Sequence, residues 1–147
     1  MKVTDALLGE HAAFYVLFDE IEAMAALAGG LPQIQSATTV LNALVLSHAQ
    51  LEDDLLFGAL EAVLGADGPQ KLMRDEHADI DRLLEGIEDA VDAEDAAEWI
   101  GKAIHTAREH FRKEEEALFP LAQDVLGNEA LENLGKAWAT SRRVNIG

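Results

Sequence analysis

Apolar residues recur at intervals of three and four along most of the chain, and a strand-like alternation is nowhere sustained. Leu7, Leu8, His11, Phe14, Tyr15, Phe18 and Ile21 make the first such stripe. It predicts a helix opening near Thr4, with Asp5 in its first turn, and closing at Gly29-Gly30. Pro32 fits the first turn of a second helix, which carries Val40, Leu41, Leu44, Val45, His48, Glu52, Leu55, Leu56 and Ala59 to a stop at Gly65. After Gly68-Pro69 a third helix presents Met73, His77, Ile80, Leu84 and Ile87, and the acidic, alanine-rich patch from Asp92 to Asp95 reads as the next connection. The fourth helix shows Trp99, Ala103, Ala107, His110, Glu114, Ala117, Leu118 and Leu121 on one face and ends near Gly127, with Pro120 expected to kink its last turns. A shorter fifth helix from about Glu129 to Ser141 leads to Arg142-Arg143, expected as an exposed tail.

The pattern repeats. His48-x-x-x-Glu52 followed by two acids and Leu-Phe returns as His110-x-x-x-Glu114, and Glu10-His11-Ala12 returns as Glu76-His77-Ala78. Two helical hairpins of this kind predict an all-α, antiparallel up-down four-helix bundle with pseudo-twofold symmetry, plus a short C-terminal helix outside the repeat.

Composition narrows the partners. With 147 residues, 49% of them apolar, the chain has the size of one domain. A formal charge of −17 repels nucleic acid and anionic membrane surfaces and favours small cations. The lack of cysteine excludes disulfides, thiolate metal sites and cysteine nucleophiles. The first residues have no apolar run like that of a signal peptide, and no stretch approaches the roughly 20 apolar residues that span a bilayer, so a cytoplasmic location is expected.

The candidate chemistry sits inside the apolar stripes. A lone histidine there is ordinarily a satisfied core residue, and glutamates followed by further acids ordinarily face solvent. The phase of the second helix argues otherwise, because Leu41, Val45, Leu55 and Ala59 share the side of Glu52, where an unpaired carboxylate would cost several kcal/mol. Residues at i and i+4 are neighbours on a helix, so His48/Glu52 and His110/Glu114 each form a half-site, and His11 and His77 face them from the other two helices. Six N/O donors exceed what one tetrahedral zinc takes, while two ions sharing both carboxylates and taking two histidines each would have four protein donors apiece. Imidazole and carboxylate without sulfur suit iron, and manganese or zinc less well. His105, about 140° from His110 by helical geometry, points away from this set. Glu115 and Glu116 fall toward flank or solvent, Tyr15 reads as a core aromatic, and Asp81 reads as a solvated acid with carboxylate ligation as the alternative.

These residues resemble the hemerythrin-like, or HHE cation-binding, family. The resemblance runs from Leu7 to about Gly127 and rests on Glu10-His11, His48-x-x-x-Glu52, Glu76-His77 and His110-x-x-x-Glu114-Glu115-x-x-Leu118-Phe119-Pro120. It implies a bundle over about 4–127, an added helix and tail over about 128–147, and a non-haem di-iron centre bridged by carboxylates and by oxo or hydroxo. His11 and His48 would serve one iron, His77 and His110 the other, and Glu52 and Glu114 would bridge. Family members bind or sense oxygen, sense iron or nitric oxide, store iron, or assist repair of iron centres. The chain departs from the oxygen carriers in two places. Met73 and Asp81 stand where a second histidine would flank His77, and Glu114 lies four residues after His110 where the carriers have aspartate at five. The expected function is therefore binding or sensing of oxygen, nitric oxide or peroxide, with any signal passing to a separate protein or a second copy. A di-iron enzyme or an iron-storage or iron-sensing protein is the alternative.

Overall fold

The computed structural model describes residues 1–27 and 30–147, and among these there is no strand. Helix α1 spans Val3–Ala26, α2 Leu31–Glu52, α3 Gly58–Leu64, α4 Pro69–Gly86, α5 Ala93–Lys113 and α6 Phe119–Arg142. Single π-helical turns, Asp53–Phe57 and Glu114–Leu118, join α2 to α3 and α5 to α6, and a 3-10 turn, Ile87–Asp89, extends α4. Each long helix packs beside its sequence neighbour, and α5 closes the square against α1, which gives the up-down bundle. Among the described residues, no helix is long and apolar enough to cross a membrane.

Boundaries differ from the expected ones where side chains reach back along the chain. The first helix begins at Val3 rather than at Thr4, because Asp5 accepts from the Lys2 backbone N–H at 3.0 Å. Asp92 is the N-cap of α5 and accepts from the Asp95 backbone N–H at 2.8 Å, so most of the patch expected as a connection is already helix. Gly29, expected to close the first helix, lies outside the described residues. The backbone of α6 leaves helical geometry at Gly127 (φ 75, ψ 174), a left-handed position that glycine takes without a Cβ clash, so the helix turns there into a second run over 128–142. That run packs on α1 closely enough that a Cβ on Gly135 would collide with the Met1 carbonyl.

The core forms in two clusters. One holds Phe14, Phe18, Ile80, Ile100, Ile104 and Phe111 with their neighbours. The other holds Val3, Leu7, Leu56, Phe57, Leu60, Met73, Leu118, Phe119 and Leu131. Fully burying side chains of this kind stabilises by about 1.5–3 kcal/mol each. The π turns decide which residues enter the second cluster. Leu56 and Leu118, expected in the stripes, are buried; uninterrupted 3.6-residue phase also places Leu55, Ala59 and Ala117 inward, but the extra residue in each turn leaves these less buried and brings Phe57, Leu60 and Phe119 to the core instead. Leu8, Val40 and Leu44, expected in the stripes, face solvent.

Candidate metal centre

Between the two clusters the bundle buries polar groups. His11, His48, Glu52, His110 and Glu114 are at most 1% exposed, and the side chain of His77 is 10% exposed. Two sets of donor atoms result, His11–His48–Glu52–Glu114 and Glu52–His77–His110–Glu114, each with its atoms within 4.8 Å of one another. All six residues singled out from the sequence are thus brought together, one histidine from each of α1, α2, α4 and α5.

The two glutamates stand between the sets. Glu114 turns Oε2 toward His11 Nε2 at 3.2 Å and Oε1 toward His110 Nε2 at 3.0 Å and His77 Nε2 at 3.9 Å. Glu52 Oε2 lies 3.6 Å from His48 Nε2 and 3.4 Å from His77 Nε2. Each carboxylate therefore reaches a histidine of both sets.

Each imidazole is gripped from behind by a carboxylate that accepts from Nδ1–H. Glu10 Oε2 does so for His48 at 2.6 Å, Glu76 Oε2 for His110 at 2.9 Å, Glu115 Oε1 for His11 at 2.9 Å and Asp53 Oδ1 for His77 at 3.2 Å. These contacts place the proton on Nδ1 and leave the Nε2 lone pair aimed inward, the tautomer that a metal takes. The repeat covers them too. The residue before the histidine of α1 or α4 holds the histidine of the following helix, and the residue after each inward glutamate holds a histidine across the bundle.

Helical phase alone gives none of these four acids a role. Glu115, expected on the flank or in solvent, binds both His11 and the Tyr15 hydroxyl, while Glu116 is exposed and pairs with Arg112. Tyr15 packs on Phe18 and Phe111 as a core aromatic and also donates to Glu115 at 2.8 Å. Arg142 is not an exposed tail, since it binds Glu10 and Ser47. Asp81 lies outside both donor sets, and His105 is exposed. The signal available in the sequence was the repeat itself, which keeps Glu10/Glu76 and an acid after each of Glu52 and Glu114.

The inner atoms supply the test of fit. Nε2 of all four histidines and both oxygens of Glu52 and of Glu114 are buried and have no hydrogen-bond partner among the described residues. Orphaned buried carboxylates are costly unless a cation neutralises them, and four imidazole nitrogens with four carboxylate oxygens make the hard-to-intermediate donor set that iron accepts. In the metal-free chain, burial pushes Glu52 up to about 7, with the Glu114 charge adding, and pushes Glu114 up to about 8 although His77 opposes it. Burial drives His11 down to about 2, reinforced by His48 and His110. Burial alone would also lower His77, but Asp53 and Glu52 outweigh it and raise that ring to about 10. For Glu10, hydrogen bonds from His48 and Arg142 overcome burial and hold it at about 2.

A cavity of 220 Å³ reaches this layer between α2 and α4. His48, His77 and His110 line its inner end, Val45, Ile80 and Phe111 its apolar walls, and Asp53, Arg74 and Asp81 also border it. The arrangement can therefore hold cations in a buried interior with small adjoining space.

The family model described as the hemerythrin HHE cation binding domain matches residues 2–122. No curated protein and no solved structure matches the chain.

Proposed function

Because the chain belongs to the hemerythrin HHE cation-binding family, and its bundle sets His and Glu groups for metal binding, we propose that it is a non-haem di-iron protein that binds or senses oxygen or a related small molecule. His11 and His48 would hold one iron, His77 and His110 the other, with Glu52 and Glu114 shared. The observation that carries this reading is the set of eight orphaned inward atoms, divided by the two glutamates into two equivalent groups. Paired iron would supply reversible electron donation to oxygen or nitric oxide.

The protein's own residues define what reaches that layer. Val45, Ile80 and Phe111 give the cavity apolar walls, which suit a small neutral molecule. Glu10, Glu76, Glu115 and Asp53 hold the histidines by Nδ1, so that the rings do not turn while a ligand enters and leaves. The four protein donors per ion leave room for exogenous ligands, and the cavity adjoins them.

Metal analysis and optical spectra test the proposal. Protein made in iron-supplied cells should carry about two irons per chain and show near-ultraviolet absorption that dithionite removes and air restores. A single tightly held zinc, or a spectrum indifferent to dithionite and air, overturns it.

A further inference from the structure

The pseudo-twofold repeat breaks close to the metal centre at the outer partners of Glu10 and Glu76, and this break comes from the run 128–142, beyond the repeat. Glu10 and Glu76 occupy equivalent positions, each one residue before a histidine and each accepting from Nδ1–H of the histidine on the following helix. Their outer partners are unlike. Glu76 is held by Lys113, an ammonium on a flexible stem whose side chain is 44% exposed, and such a contact constrains a carboxylate little. Glu10 is held by two residues one turn apart on the same face of α6. The Arg142 guanidinium donates through Nε to Oε1 at 2.6 Å and through Nη2 to Oε2 at 3.2 Å, and the Trp138 indole N–H donates to Oε1 at 2.8 Å. A planar fork of this kind fixes both oxygens in one orientation.

Arg142 also ties down the neighbour of His48. Its Nη1 donates to the Ser47 hydroxyl at 2.7 Å and its Nη2 approaches the Ser47 carbonyl at 3.4 Å. Beside these groups lies a cavity of 270 Å³ walled by Phe14, Leu17 and Leu44 and open to Glu10 and His48. Without Arg142, Glu10 would keep the single Trp138 indole N–H in place of a planar fork, and could swing toward that space and loosen the His48 ring.

From this asymmetry we infer that the C-terminal run of α6 is a clamp on one metal position: Trp138 and Arg142 fix Glu10, Glu10 fixes His48, and the His11/His48 position consequently binds metal more tightly than the His77/His110 position. The inference rests on the two-metal reading. Trp138 and Arg142 touch neither the metal nor a ligand atom and act as positioning residues.

Anaerobic titration of the metal-free full chain with Fe(II) against a competing chelator tests it, together with imidazole nitrogen NMR of the same samples without metal. Wild type should show two unequal steps. Arg142→Ala should weaken the tighter step by about 10-fold or more and leave the other unchanged, with Trp138→Phe weaker in effect and Arg142→Lys a partial rescue. Lys113→Ala should leave both steps close to wild type, since that exposed contact constrains Glu76 little. In the spectra, the Nδ1–H signal of His48 should broaden in Arg142→Ala while that of His110 keeps its wild-type width. Two unchanged steps in Arg142→Ala and Trp138→Phe, or equal weakening of both steps by every variant, overturns the clamp while the two-metal reading stands. Fewer than two irons in wild type overturns both.

Discussion

Tyr15 and His11 hold the same oxygen of Glu115, the Tyr15 hydroxyl at 2.8 Å and His11 Nδ1 at 2.9 Å. One carboxylate thus links an aromatic residue of the upper core to the inner layer of imidazoles, from a position in the middle of three consecutive glutamates.

That position separates three chemically identical neighbours. Glu115→Ala should lower metal affinity by about 10–100-fold, because His11 loses the group that fixes its tautomer. Glu116→Ala, whose side chain is exposed and paired only with Arg112, should leave affinity unchanged and stability within about 0.5 kcal/mol. Chelator competition and thermal melts of both variants give the comparison.

Stability of the metal-free protein should fall from about pH 6.5 to 10. Glu52 and Glu114 stay protonated in the folded chain up to about 7 and about 8, whereas the unfolded chain releases those protons near 4.5, so folding binds protons in that interval and weakens as pH rises. His77, raised to about 10, continues the same trend above 6.5. His11, held down to about 2, acts with the opposite sign, but only below 6.5, where the unfolded imidazole becomes charged. Melting temperatures across this range, with and without Fe(II), should diverge progressively toward alkaline pH; parallel curves would refute the assignment.

Glu52→Gln replaces a fully buried acid by a neutral isostere. It should abolish loading of both metal positions, and at pH 9 it should make the metal-free protein more stable than wild type by on the order of 3 kcal/mol. Denaturant melts of the metal-free pair at pH 5 and pH 9 provide the measurement, with the advantage present only at the higher pH.

Metal uptake should release protons near neutral pH, since Glu52 and Glu114 give up theirs when a cation arrives. Titration calorimetry in two buffers of different ionisation enthalpy would detect it, and equal heats in both buffers would count against protonated inner carboxylates.

The cavity offers a separation of metal binding from ligand entry. Ala49 borders it and is 9% exposed, and Ala49→Leu should fill the space while leaving the six inward residues in place. Iron content should persist, and the spectral response to oxygen or nitric oxide should slow by an order of magnitude or more. Loss of iron in this variant would show that the space belongs to the metal layer itself.

The bundle and the six inward residues were legible because helical period and the internal repeat act together: His48 and Glu52 share a face, and His110 and Glu114 share it again one repeat later. What escaped was set by contacts remote in sequence. Glu10 meets Arg142 across 132 residues, and His11 meets Glu115 across 104, and no spacing rule encodes such pairs. The misassigned core positions have a different cause. An extra residue in each π turn shifts helical phase by about 100°, so a fixed 3.6-residue period counted past Glu52 or Glu114 keeps Leu56 and Leu118 but selects Ala59 and Ala117 where the chain uses Leu60 and Phe119.

The division of the apolar interior bears on how the chain melts. The His11 ring stacks on Phe111 of one cluster at 3.9 Å and lies 5.7 Å from Phe119 of the other, so the two clusters meet through the very layer that carries the orphaned donors. Cations bound there would make that layer rigid and couple the two ends of the bundle into one cooperative transition. Without them it is a seam of uncompensated polar groups, and calorimetry of the metal-free chain should give a broadened endotherm whose van't Hoff enthalpy falls below the calorimetric one.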